Sequence, residues 1–92
     1  MNKTELVDVI ADRADLEKAA AERALNAVLD AISEEVAAGD KVVLAGFGTF
    51  ERRDRSAREG RNPQTGETMQ IAATQVPAFK AGARFKSQVA GE

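Results

Sequence analysis

The 92-residue chain contains no cysteine, histidine or tyrosine, which removes disulfides, thiolate metal sites and the commonest acid–base and nucleophilic side chains. Lys and Arg total 13 against 15 Asp and Glu, a net charge of −2, yet residues 1–51 carry 5 basic and 11 acidic groups while residues 52–86 carry 8 and 3. The length fits one domain over 1–92, no apolar run approaches the ~20 residues of a membrane span, Met1 leads into polar residues unlike a signal peptide, and the lack of cysteine is compatible with a reducing cytoplasm.

Asn2 followed by Glu5 reads as a capping-box variant, and Leu6, Val9, Ile10 and Arg13 follow at helical spacing, predicting a first helix over about 3–13. Asp15 or Glu17 can start a second helix, whose stripe of Ala21, Leu25, Val28, Leu29, Ile32 and Val36 ends at Gly39. The short link around Asp15 and Leu16 makes the two a V-shaped pair. Lys41–Ala45 is a short β-branched run, Gly46-Phe47-Gly48 a tight reversal, and Thr49 opens a strand. A last short helix over about 82–90 follows Pro77 and places Phe85 and Val89 on one face. The expected parts are a helical dimerisation part (1–40), a sheet with a protruding arm (41–81, arm about 53–75) and a C-terminal helix (82–92). Phe47, Phe50, Phe79 and Phe85 sit beside turns or on a helix stripe, where core or dimer-interface burial explains them more simply than base stacking.

The stretch from Phe50 to Val76 carries Arg52, Arg53, Arg55, Arg58 and Arg61 on its outgoing half and no large apolar residue there after Phe50. At period two, Arg53, Arg55 and Arg61 point one way and Arg52 and Arg58 the other. Only Met69, Ile71 and Val76 pack on the return half, so a protruding two-stranded arm is expected. Its tip reads Gly60-Arg61-Asn62-Pro63-Gln64-Thr65-Gly66, in which Pro63 fixes its own φ and Gly60 and Gly66 tolerate the positive φ of a tight reversal. A rigid apolar ring among arginines suits insertion between base steps. With so small a body outside the arm, burial against a second copy is expected.

Gly46-Phe47-Gly48-Thr49-Phe50, then Arg55, Arg58, Gly60, the run from Arg61 to Gly66, and Val76-Pro77-Ala78-Phe79-Lys80 at the following distance resemble the bacterial HU and integration host factor family of DNA-bending proteins over essentially the whole chain, and most closely its HU branch. The resemblance implies an α+β fold: an N-terminal helix pair, a small antiparallel sheet extended into a two-stranded ribbon arm, and a short C-terminal helix, in an intertwined homodimer with Phe47, Phe50 and Phe79 in the dimer core. It implies a nucleoid-associated architectural protein of the cytoplasm that binds duplex DNA through the minor groove with little sequence specificity, favours flexible, nicked or bent DNA, and uses no cofactor or metal. The kinking mechanism is the family's own, with Pro63 of each arm entering a base step. Arg53, Arg55, Arg58 and Arg61 would meet phosphates or groove edges. Lys3, Lys80 and Lys86 would meet the backbone from the body, with Asn62 and Gln64 near the wedge. Ala81 stands where the family often has proline and Ala83 where it often has lysine, which removes a phosphate contact; Arg84 beside it is counted among the DNA-binding residues.

Other readings stay open in the residues. Asp8, Asp12 and Asp15 lie at helix-like spacing and would be the only basis for a metal-dependent nuclease, against the simpler reading of a solvated acidic face. The acidic total leaves an acidic helical module that binds a protein partner. Within DNA binding, site-specific bending is the alternative to sequence-general packaging, and a paralogous subunit is the alternative to self-association.

Overall fold

The computed structural model describes residues 1–92 as three helices and five strands in two compact units, Met1–Glu34 and Glu35–Glu92. In the first unit α1 spans Lys3–Ala14. Asn2 caps it, its side-chain oxygen accepting from the Glu5 amide at 2.9 Å, as the Asn2–Glu5 spacing predicts. Asp15 does not open the second helix. It closes the first in the left-handed region at φ 55°, with its own amide and that of Leu16 donating to Ala11 O. A short polar side chain tolerates that conformation, which is why an aspartate can end a helix where a glycine would be the default.

Helix α2, Lys18–Ala37, starts behind Glu17, whose carbonyl accepts from the Ala21 amide. Val7 on α1 and Ala21 on α2 are buried, and Lys18 reaches back to Asp8 at 3.2 Å. The stripe predicted for α2 buries unevenly: Ala21 and Val36 are shielded, whereas Val28 and Leu29 are exposed in the single chain. Gly39, at φ 95°, ends the helix, donating to Val36 O while Asp40 donates to Glu35 O.

In the second unit β1 (Val42–Leu44), β2 (Gly48–Arg55) and β5 (Thr74–Ala81) form an antiparallel sheet in the order β1-β2-β5. Strand β1 is thus shorter than the Lys41–Ala45 run. A second, two-stranded ladder pairs β3 (Arg58–Arg61) with β4 (Thr68–Ile71). Helix α3, Ala83–Ala90, begins one residue later than expected behind Gly82, whose amide donates to Phe47 O at 2.8 Å. The Phe85 amide donates to Gly46 O at 3.2 Å, so the reversal between β1 and β2 receives the helix start.

The register places Thr49, Glu51, Arg53 and Arg55 of β2 beside Lys80, Ala78, Val76 and Thr74 of β5 on one face. The opposite face holds Phe50 against Phe79, with ring centroids 4.8 Å apart. Phe47 lies 5.5 Å from Phe79 and stacks on Phe85 at 4.9 Å and 12°. All four aromatics therefore form one cluster. Phe47 remains 45% and Phe79 40% exposed in the single chain, and no large side chain is fully buried. Gly46 makes the expected reversal at φ 80°, and Gly48 admits the Phe79 ring.

Candidate nucleic-acid interface

The cationic face is organised by a carboxylate. Glu51 is 8% exposed and carries three cations: Lys80 Nζ at 3.3 Å and Arg53 Nη2 at 3.8 Å from Oε1, and Lys41 Nζ at 3.7 Å from Oε2. The hydrogen bond from Lys80 and the charges of Lys80, Lys41 and Arg53 hold its carboxyl below the ordinary value, against an opposing push from burial. Arg53 and Lys80 were expected to face DNA; Lys41 and Glu51 were not singled out. Their signal is the antiparallel register, in which Val42 faces Phe50, so that Lys41 arrives beside Glu51.

Arg52 departs from the arm arginines. Its Nη1 donates to Ala37 O at 3.2 Å, at the end of α2, and its Nε lies 3.8 Å from Asp54 Oδ1. A guanidinium there satisfies a terminal carbonyl and meets the negative end of the helix dipole. Gly39 leaves room for it, since a Cβ at that position would stand 3.2 Å from Nη2. Arg52 is thereby a helix cap and not a free cation.

The arm is an interrupted ribbon. Arg55 pairs with Thr74 at the end of one ladder and Arg58 with Ile71 at the start of the other. Ser56 and Ala57 thus stand opposite Ala73 and Ala72 with the register preserved but no strand pairing. Beyond the interruption, Arg58 and Gly60 share a face with Ile71 and Met69, while Glu59 and Arg61 lie with Gln70 and Thr68 on the other. Gly60 does not adopt the positive φ expected of it. It is a strand residue whose missing side chain admits Ile71, Cδ1 of which would lie 2.7 Å from a Cβ there. Ile71, with Met69 beside it, fills that gap in the thin ribbon. Gly66, at φ 72°, supplies the reversal alone.

At the tip Asn62 turns in and Pro63 turns out. The Asn62 amide donates to Glu67 O at 2.8 Å, its carbonyl accepts from Gly66 at 2.7 Å, and its Oδ1 accepts from the Gln64 amide at 2.9 Å. Thr65 Oγ1 accepts from the Glu67 amide at 3.3 Å. Pro63 is exposed and has no N–H to satisfy.

The remaining candidates fall in three places. Arg55, Arg58 and Arg61 are exposed along the arm and make no ion pair, and the Gln64 side chain is likewise exposed. Arg84 and Lys86 lie on α3, the Arg84 stem beside Gly46. Lys3 opens α1 in the first unit. Of the three carboxylates considered for a metal, Asp8 pairs with Lys18, and Asp15 closes α1 through its backbone amide.

The chain matches the family model described as bacterial DNA-binding protein over residues 1–90. It is 60% identical to the DNA-binding protein HU-beta of Pseudomonas fluorescens over 97% of this chain and 99% of that one. It is 57% identical to the DNA-binding protein HU of Nostoc over 98% and 96%. Among solved structures, that of Anabaena HU cocrystallised with DNA superposes with a TM-score of 0.93 at 55% identity, covering all of both chains. The α+β fold is the one seen in these HU structures.

Proposed function

Because this chain belongs to the bacterial HU family of DNA-binding proteins, we propose that it is an architectural protein of the nucleoid that grips duplex DNA by the minor groove and bends it. The observation that carries this is the division of labour among its cations. Arg52 is spent on a helix end and Arg53 on Glu51, whereas Arg55, Arg58 and Arg61 stand exposed and unpaired along an arm that ends in the exposed ring of Pro63. Unpaired guanidinium groups on a ribbon are suited to phosphates, which give affinity without sequence information. Arg84 and Lys86 extend that contact on the same unit, with Lys80 joining once phosphate competes with Glu51, and Lys3 of the first unit is taken as a DNA-backbone contact by itself.

Pro63 acts as the wedge. Unstacking a base step costs a few kcal/mol and is offset by the additional surface that bent DNA wraps, a scheme of which HU is itself one of the known examples. The cost is lower at nicked or flexible sites, which gives a preference for them over any base sequence.

The working unit is a homodimer. Phe47, Phe79, Leu44, Val43, Val28 and Leu29 are all exposed in the single chain, and only Val7, Ala21 and Val36 are buried apolar residues. So little burial does not sustain a body of this size, and a second copy closing over the aromatic cluster supplies the rest.

The decisive experiment is a salt titration on intact and nicked duplexes with wild type and Pro63→Ala in parallel, coupled to end-to-end fluorescence transfer. The wild type binds more weakly as salt rises, favours the nick and shortens the end-to-end distance; Pro63→Ala keeps most of the affinity but loses the shortening and the nick preference. Equal bending by both proteins refutes the wedge. No duplex binding at low salt refutes the DNA-bending reading altogether.

A further inference from the structure

Asn62 and Pro63 are adjacent, and their surroundings are opposite. Asn62 is the only half-buried residue of the tip from Arg61 to Glu67. Its backbone N–H, backbone carbonyl and side-chain oxygen are engaged with Glu67, Gly66 and Gln64 respectively, all at 2.9 Å or less. These three bonds reach across Pro63 to the other side of the turn. Proline fixes its own φ but not the direction in which the loop presents it, because ψ and the residues that follow stay free. The Asn62 side chain closes an Asx turn over the proline and so fixes that direction.

We propose that Asn62 is a positioning residue for Pro63, holding the turn before DNA arrives, and that it acts through the Oδ1–Gln64 amide bond and not by touching DNA. The inference rests on the wedge role of Pro63. It separates two functions that the Arg61-Asn62-Pro63 run places side by side: the arginine supplies charge, the proline supplies the apolar ring, and the asparagine supplies the geometry. A tip ordered in advance loses less conformational freedom on insertion than one that must first fold on the DNA. Thr65, which accepts from the Glu67 amide, closes the far side of the same turn.

The test compares Asn62→Ala and Asn62→Ser with wild type and Pro63→Ala. Three quantities are read: exchange of the Gln64 and Gly66 amides in the free protein by NMR, and bending and affinity on a nicked duplex. Loss of one such bond corresponds to about a fivefold drop in affinity. Asn62→Ala is expected to show that drop with reduced bending at saturation and faster exchange of both amides. Asn62→Ser, whose hydroxyl accepts in the same place more weakly, recovers part of all three. An Asn62→Ala protein that loses affinity with unchanged amide exchange overturns the proposal and makes Asn62 a direct DNA contact; one that retains affinity, bending and exchange overturns it as well. Pro63→Ala separates the two levels. Full bending by that variant removes the wedge itself, whereas its loss of bending beside a fully bending Asn62→Ala removes the positioning role alone.

Discussion

Gly48 lies under the ring of Phe79 so closely that a Cβ there would stand 2.5 Å from ring atoms Cε1 and Cζ and 2.6 Å from the Lys80 carbonyl oxygen. The carbonyl belongs to the β5 backbone paired with β2 and cannot swing aside. Gly48→Ala is therefore expected to destabilise the protein by about 1–3 kcal/mol through overpacking, read as a lowered midpoint in urea unfolding. Gly66→Ala, with nothing within 4 Å of the added methyl but φ at 72°, strains the arm tip and leaves the unfolding midpoint of the body unchanged.

Arg52 and Arg58 are both arginines of the outgoing half of the arm stretch, yet they answer to different experiments. Arg58→Ala removes an unpaired cation, and Arg61→Ala does the same; each should lower the slope of log affinity against log salt by roughly one unit, equally for unrelated duplex sequences. Arg52→Ala leaves that slope unaltered and instead costs about 1 kcal/mol of stability, because it uncaps α2 at Ala37.

Glu51 links stability to pH. Lys80, Lys41 and Arg53 hold its carboxyl below the ordinary value of 4.5, so the folded state binds the proton less readily than the unfolded chain. The stabilisation is accordingly complete above the unfolded value and is lost as pH falls through the folded one. Chemical denaturation of wild type and Glu51→Gln across the acid range should show the wild type losing stability more steeply with falling pH over that window. Parallel curves would mean that the three cations do not act on Glu51 in solution.

The same substitution bears on DNA. Glu51→Gln frees Lys41, Arg53 and Lys80 from an internal counter-charge, so the variant should bind duplex more tightly at low salt and show a steeper salt dependence. Fluorescence anisotropy at several salt concentrations measures both quantities together.

Dimerisation carries its own signature. With the aromatic cluster closed by a second copy, the melting temperature should rise with protein concentration, as mass action requires when folding and association are coupled. Calorimetry over a hundredfold range of concentration checks it, and a constant melting temperature would leave the monomer as the folded unit.

What could be read in the chain beforehand was local. Asn2 and Gly39 punctuate helices through short-range chemistry, and the tip from Arg61 to Gly66 announces a turn by composition. Of the two residues that can open the second helix, Glu17 does so and Asp15 does not, because a helix-closing aspartate and a helix-opening one look alike until the backbone sign is known. Gly60 reads as a turn residue in the sequence because composition shows a missing side chain but not that Ile71, eleven residues on, fills the gap. The fate of Arg52 and the company Arg53 keeps on Glu51 were hidden for the same reason: Ala37 is set by where α2 ends, and Lys41 and Lys80 are brought to Glu51 by sheet register. Neither quantity is carried by a residue and its immediate neighbours. The interruption at Ser56-Ala57 leaves no breaker in the sequence, only small residues on both strands.

That interruption makes the arm two splints in series. A strand ladder passes its twist from one hydrogen-bonded pair to the next, and here the relay stops for two facing pairs before it resumes in the same register. The orientation of the outer splint is consequently set apart from that of the sheet it grows from. Under the proposed grip on the minor groove, the outer splint is the part that follows a change of groove width, with the cationic sheet face around Glu51 left as it was.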